Sequence, residues 1–200
     1  MNQLKLAFLL LFVFIQSILF ANQTESVDSL IHQQVIESIS LMIENDQLDI
    51  AETFIESFNK SDSSFLAVTT YLLGWIDLKK QNYDRAEKRL DKAAELKVDV
   101  PELYYHLALV NYNQFDYMES LRQLSKLDEH SIENNTTRKM IAELEAMCYI
   151  KLSRNEDAIN SLTKAIQLDK NNSNLLFERG KLLFSLGKKQ EASLDFKRTL

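Results

Sequence analysis

Apolar residues recur every three or four positions along most of this chain, which is the period of an amphipathic α-helix. The first such stretch runs from Leu30 to Glu44, and a second follows from about Leu48 to Asn59. Short polar segments, such as Asp46–Asp49 and Lys60–Ser64, separate one apolar stretch from the next. We therefore predict an all-α fold in which helices follow one another through short turns.

Part of this pattern occurs twice at a fixed interval along the chain. The interval from Gly74 to Ala108 is equal to the interval from Ala86 to Ser120. In both copies the second small residue follows a polar turn and a tyrosine. A unit of this length cannot bury its own apolar face, so successive copies must stack on one another.

This interval and its small residues resemble the tetratricopeptide repeat family, in which a helix-turn-helix unit of about 34 residues is repeated. The family pattern has small residues at positions 8, 20 and 27 of each repeat. Gly74, Ala86 and Ala93 occupy these positions in one repeat, and a later repeat has Ala146, Ala158 and Ala165 there. The resemblance implies an all-α, right-handed superhelical solenoid of about five stacked helix-turn-helix repeats. We interpret the small residues as the sites where two helices approach closely.

The same register divides the whole chain. We predict a leader (1–21), a polar lead-in (22–31), a degenerate first repeat (32–66), and repeats at 67–100, 101–138, 139–172 and 173–200. In the first repeat, Ile39 stands where a small residue is expected, which is common in terminal repeats.

The third of these repeats departs from the pattern. The interval from Ser120 to Ala158 is four positions longer than the interval from Ala86 to Ser120. We place the extra positions in Glu129–Thr137, after a helix at about Tyr117–Glu129. We interpret this insertion as a longer surface loop or, alternatively, as a loop that contacts a partner.

The fifth repeat lacks the closing polar helix that is typical of such arrays. We expect oligomerisation, a partner or a continuation of the chain to cover its last apolar face.

Glycine and proline are scarce, with three and one among 200 residues. Average usage is about 7% and 5%, and strand-rich folds need more such residues for their turns. The composition therefore favours stacked helices.

Residues 1–21 have the character of a leader. Lys5 precedes an apolar run from Leu6 to Phe20, and Ala21 follows it. As a helix this run is about 24 Å long, which is shorter than the hydrocarbon core of about 30 Å. We predict a cleaved signal peptide and secretion into the periplasm or another extracytoplasmic space. A membrane anchor formed by residues 6–21 is the alternative, because Leu19 is large for its place before the cleavage site.

The charge of the chain argues against a nucleic-acid partner. The formal net charge is −6, and removal of Lys5 with the leader leaves 22 basic and 29 acidic residues, or −7. An acidic surface without a basic stripe repels phosphate groups.

No arrangement typical of catalysis or cofactor binding is found in the sequence. His32, His106 and His130 lack partners at metal-ligand spacing, and no glycine-rich loop is present to hold a phosphate. Cys148 lies in an apolar helical segment, so we predict that it is buried and unreactive. We therefore predict a non-enzymatic protein without a metal or other cofactor.

The family resemblance also implies a binding surface, because the first helix of each repeat lines a concave groove. Family members that clamp a terminal carboxylate carry Lys and Asn at positions 5 and 9, where this chain has pairs such as Tyr71 and Trp75. We expect no such clamp, and predict an apolar groove that receives an amphipathic helix or extended peptide. Some of its residues could instead pack between repeats. The predicted groove residues are Tyr71, Trp75, Leu78, Tyr105, Leu109, Tyr112, Met147 and Phe177.

Three functional hypotheses follow from these features. The first is an extracytoplasmic scaffold for a protein or peptide partner, for example in envelope or secretion-complex assembly. The second is a membrane-tethered assembly subunit that uses the exposed face of its C-terminal repeat, and the third is the recognition arm of a larger enzyme that continues beyond residue 200.

Overall fold

The computed structural model describes residues 25–59, 65–127, 132 and 134–199. The predicted leader lies outside the described residues. Those residues form helices and connecting turns, which confirms the predicted all-α fold. The helices are α1 (Glu25–Glu44), α2 (Leu48–Asn59), α3 (Leu66–Lys79), α4 (Tyr83–Glu95), α5 (Leu103–Asn113), α6 (Tyr117–Leu124), α7 (Asn135–Lys151), α8 (Asn155–Leu168), α9 (Ser173–Ser185) and α10 (Lys189–Arg198).

Consecutive helices pack in pairs, so that α1 with α2, α3 with α4, and each later pair form one helical hairpin. The first helices of neighbouring repeats also contact one another, from α1 to α3, α3 to α5 and α5 to α7. The first helices therefore lie side by side and form the inner surface of a solenoid of five repeats, as predicted. Among the described residues, no helix is both long enough and apolar enough to span a bilayer.

The hairpin turns share one backbone geometry. The turn residues Asp46, Gln81, Phe115, Ser153 and Gly187 all have positive φ, between 57° and 76°. After each of them, the next backbone N–H donates to a carbonyl five positions earlier, as Asn82 does to Asp77 at 2.8 Å. This is the Schellman closure of a helix, in which glycine is the usual residue. Every repeat therefore reverses its chain in the same way.

Close contact between the two helices of a repeat explains the small residues. A Cβ atom added to Gly74 would lie 2.9 Å from Cγ and Cδ2 of Leu90, and one added to Gly180 would lie 2.6 Å from the ring of Phe196. Ala86, on the facing helix, is fully buried. These positions thus mark where α3 meets α4 and where α9 meets α10.

The core continues from one repeat into the next. One cluster extends from Val35 in α1 to Val110 in α5, and two further clusters fill the later repeats. Cys148 is fully buried, as predicted, and its Sγ donates to Oγ of Ser120 at 3.2 Å. Ser120 in turn donates to the carbonyl of Ala108 at 2.8 Å, which joins three helices through small side chains.

The first helix begins earlier than the sequence pattern predicts. It starts at Glu25 rather than Leu30, so most of the predicted lead-in at 22–31 is helical. No glycine or proline interrupts this segment, so nothing in its composition opposes a helix. Polarity alone was therefore a poor sign of irregular structure here.

The insertion in the third repeat also differs from prediction. Helix α6 ends at Leu124, five positions before the predicted Glu129, and α7 begins at Asn135 rather than Lys139. Asn134 caps α7, because its side chain accepts a hydrogen bond from the backbone N–H of Thr136 at 2.8 Å. Ile132 is buried against the core of the third and fourth repeats. The insertion thus lengthens a helix and contributes to the core.

We predict that Gly74→Ala lowers the free energy of unfolding by about 1–2 kcal/mol. Overpacking costs about 1–3 kcal/mol, and the better helix propensity of alanine returns up to about 1 kcal/mol. Urea unfolding followed by circular dichroism measures this loss.

Gly180→Ala provides the comparison for that prediction. Phe196 is partly exposed and can move, whereas Leu90 is fully buried. We expect the smaller loss at Gly180 although its overlap is closer. An equal or larger loss there would show that Phe196 does not move aside, and no loss at either position would contradict the close-packing explanation.

Candidate functional site

The eight predicted groove residues all lie on the inner helices. Three are on α3, three on α5, and Met147 and Phe177 are on α7 and α9. Trp75, Leu78, Leu109 and Tyr112 are half-buried, and Met147 and Phe177 are 43% and 48% exposed. These six residues form an apolar strip across four repeats, which we call the inner strip.

Tyr71 and Tyr105 differ from the inner strip because they are only 2% and 7% exposed. Both belong to core clusters, so they pack between repeats, which was the alternative arrangement for residues of the set. Tyr71 and Tyr105 therefore belong to the packing beneath the exposed surface, and the binding role of the eight residues stays a prediction.

A histidine to which the sequence assigned no role organises this region. His106 on α5 is buried, and its Nδ1 lies 3.0 Å from the hydroxyl of Tyr71 on α3. The ring of Trp75 stacks on the imidazole, with 4.6 Å between centroids and 25° between planes. His106 lies 35 residues after Tyr71, a spacing that could have indicated contact between stacked repeats. Tyr71 and His106 together hold the indole of Trp75 at the inner surface.

The protonation states within this cluster follow from its burial. Burial, and after it the nearby charge of Lys79, lower the pKa of His106 to about 3. Burial, followed by the charge of Glu102, raises the pKa of Tyr71 well above its usual range. Both groups are therefore neutral near pH 7, and the Tyr71 hydroxyl shares one hydrogen bond with Nδ1 of His106, whose direction is set by the imidazole tautomer. A neutral, buried pair of this kind stabilises the inner surface and is poorly suited to proton transfer.

Two carboxylates accompany the apolar residues of the inner surface. Glu102 lies beside Tyr71, and Glu143 on α7 contributes, after burial, to raising the pKa of Tyr105 to about 12. Both glutamates are half-buried. The inner surface is therefore apolar with negative charge at two partly enclosed positions.

The lysines of the inner surface are more exposed. Lys79, Lys151 and Lys181 all reach solvent. Lys181 also pairs with Glu178 at 2.7 Å, and its Nζ lies 5.3 Å from the ring centre of Phe177. These cations are therefore more accessible to solvent than the two glutamates.

A separate cavity of about 200 Å³ lies between α7 and α8. It is smaller than the usual ligand pocket of about 300–1,000 Å³. Among the described residues, no group of three or more His, Cys, Asp or Glu side chains is placed to hold a metal ion. The cavity contains no inner-strip residue and is lined by Ile132, Arg138, Ile141, Ala142, Glu145, Lys164, Gln167 and Leu168.

Comparison with known proteins finds repeat families that match two parts of the chain. A tetratricopeptide repeat family model matches residues 71–126, and a TPR repeat family model matches residues 148–187. The peptidyl-prolyl cis-trans isomerase FKBP4 of Homo sapiens is 27% identical over 135 residues, which cover 62% of this chain and 29% of that protein. The Bos taurus protein is 23% identical over 131 residues, covering 60% and 28% respectively. This chain thus spans less than a third of the length of these relatives.

Solved structures share the fold at low sequence identity. YrrB, described as a TPR protein with an unusual peptide-binding site, has a TM-score of 0.63 at 18% identity, covering 82% of both chains. MamA of Desulfovibrio magneticus RS-1 has a TM-score of 0.66 at 15% identity, covering 84% of this chain and 92% of its own. PilF of Pseudomonas aeruginosa has a TM-score of 0.71 at 14% identity, covering 84% and 74%.

We predict that His106 makes stability fall as the pH falls below about 6.5. The pKa of His106 is about 6.5 when unfolded and about 3 when folded, so only the unfolded state takes up a proton between these values. Its contribution is complete above pH 6.5 and declines towards pH 3. Between pH 6.5 and 5, the wild type should lose about 1–2 kcal/mol relative to His106→Gln.

Urea titrations at a series of pH values measure this difference. The other histidines and the carboxylates are common to both proteins, so the difference between the curves isolates His106. Parallel curves would contradict burial of a neutral imidazole in the folded protein.

Proposed function

Because the chain is built from tetratricopeptide repeats, we propose that it is an extracytoplasmic scaffold that binds a peptide or an amphipathic helix along its inner strip. The observation that carries this proposal is the row of partly exposed apolar side chains on the inner helices. Single exposed apolar residues are normal on a protein surface, whereas contiguous apolar surface often marks an interaction site. The fold itself implies a protein or peptide partner.

The composition of the inner strip supports capture of a helix or an extended segment. Trp75 is the only tryptophan of the chain, and tryptophan is enriched among binding hot spots. Its stacking on His106 fixes the indole before a ligand arrives, which reduces the ordering cost of binding. Met147 is flexible and can adapt to different apolar side chains. The strip thus combines a fixed anchor with an adaptable contact.

The predicted leader supports the extracytoplasmic part of the proposal. A cleaved leader would release the repeats into the periplasm or an equivalent space, where they could serve envelope or secretion-complex assembly. If residues 6–21 are retained, the same repeats would form a membrane-tethered subunit. Oligomerisation through the C-terminal repeat fits either case, because Phe184 and Leu194 are exposed there.

A second candidate function is the recognition arm of a larger enzyme. The partial match to a peptidyl-prolyl isomerase favours it, because the matched region is about 29% of that protein. Sequencing the complete coding region distinguishes this candidate from the scaffold.

We predict that the inner strip, and no other apolar surface, contacts the partner. A photo-crosslinking amino acid at Met147 or Phe177 should capture the same protein in the native compartment. Phe115 is the matched control, because it is 78% exposed on a hairpin turn and lies outside the inner strip. With the purified partner, Trp75→Ala combined with Met147→Ala should weaken binding at least about tenfold, given hot-spot losses of about 2 kcal/mol or more. Capture from Phe115 alone would refute the proposed surface.

We predict that the mature chain begins near Asn22. Mass spectrometry of the protein from its native compartment measures the N-terminus, and an alkaline wash tests membrane attachment. Retention of Met1 together with a pelleted chain would instead support the anchor formed by residues 6–21.

A further inference from the structure

The partly enclosed charges of the inner surface have one sign. Glu102, just before α5, and Glu143, on α7, are half-buried, whereas Lys79, Lys151 and Lys181 are exposed. In the part of the chain that the structure describes, neither glutamate has a cationic nitrogen within ion-pair distance. Both carboxylates are therefore partly enclosed, and neither forms an ion pair with another described residue.

The surroundings of each glutamate explain why it has no internal partner. Lys139 lies one turn before Glu143 on α7, but its Nζ pairs with Asp169 at 2.9 Å and interacts with Glu143 only through its charge. Glu102 gains some support from the positive end of α5, because it immediately precedes that helix. The charge of Lys79 reaches His106 without forming an ion pair with Glu102. A ligand that covers this surface would therefore have to supply the positive charge that pairs with the glutamates.

Each glutamate also lies near a tyrosine of the predicted groove set. The charge of Glu102 acts on Tyr71 and that of Glu143 acts on Tyr105, and the ring of Tyr71 lies 6.3 Å from the ring of Trp75 between centroids. A segment lying on Trp75 and Leu109 would cover part of the remaining hydration of both carboxylates. Such coverage is costly unless the ligand supplies a cation or a strong hydrogen-bond donor.

We infer that the inner strip recognises a cationic amphipathic segment. Its apolar residues would lie on Trp75, Leu109 and Met147, and its Arg or Lys side chains would pair with Glu143 and Glu102. Arginine suits these sites best, because its guanidinium forms two parallel hydrogen bonds with a carboxylate. The net charge of −6 would also attract such a segment towards the protein. This inference rests on the proposed function, since it specifies the ligand of the same surface.

A random peptide library tests the inference without assuming a sequence. Phage-displayed 16-residue peptides are selected on the wild-type protein, and clones that also bind the Trp75→Ala, Leu109→Ala double variant are removed. The remaining peptides are synthesised with blocked ends, so that terminal charges do not contribute. Their net charge and their affinity for the wild type are then measured by calorimetry.

Glutamate variants then test the proposed ion pairs. We expect the selected peptides to be cationic, and the Glu102→Gln, Glu143→Gln double variant to bind them about 10–100-fold more weakly. Raising the salt concentration should weaken wild-type binding more than binding to this variant. Glu156→Gln is the charge control, because Glu156 is an exposed carboxylate on the outer helix α8. It should change affinity less than threefold.

The outcomes separate the inference from the proposed function. If selection yields neutral or acidic peptides whose binding depends on Trp75 and Leu109, the cationic preference is wrong while the binding surface stands. If the glutamate double variant and Glu156→Gln weaken binding equally, attraction is only general and the ion pairs are refuted. If no peptide depends on Trp75 and Leu109, both the inference and the proposed surface fail. Circular dichroism of every variant confirms that folding is retained.

Discussion

The close approach of two helices within each repeat is the constraint on which the rest of this structure depends. Gly74 leaves no space for a methyl group against Leu90, so α3 and α4 can meet in one arrangement only. The Schellman turn between them reverses the chain in the same way in all five repeats. Because each hairpin is nearly rigid, stacking places the first helices side by side and creates the inner surface.

Buried ion pairs reinforce the hairpins with polar groups that vary among repeats. In the second repeat, the buried Asp77 on α3 pairs with Arg89 on α4 at 2.7 Å. In the fifth, the roles are reversed, since Arg179 on α9 makes two bonds to the buried Asp195 on α10. Arg179 also donates to Thr163 of the preceding repeat. Loss of Arg179 would leave the buried carboxylate of Asp195 without its cation, at a cost of about 3–5 kcal/mol, whereas Asp77 also contacts Arg85 at 3.5 Å. Polar contacts of this kind thus join the two helices of a repeat and, through Arg179, two neighbouring repeats.

The sequence predicted what depends on local period and on small side chains, and missed what depends on tertiary contact. Helical period and the constant interval between small residues were sufficient for the hairpins and their order. They did not reveal that Phe115 adopts positive φ, because this geometry is usually marked by glycine. Nor did they reveal that Ile132 enters the core or that His106 binds Tyr71, since both contacts join separate repeats. For the same reason, the inner position of a residue could be predicted but its exposure could not.

Exposure along the inner surface follows from how closely each first helix meets the next. Tyr71 is covered by His106, and Tyr105 shares a buried cluster with Leu144, which takes the place of His106 in the following repeat. The equivalent position of the fifth repeat is Glu178, which is charged and pairs with Lys181 of its own helix. The main contacts of α9 are accordingly with α8 of the preceding repeat and with α10 of its own repeat, rather than with the inner helix α7. The surface therefore opens towards Met147 and Phe177, while Glu143 stays partly enclosed at the boundary. A ligand that follows the strip would meet the fixed indole of Trp75 first and an adaptable, more open surface beyond Glu143.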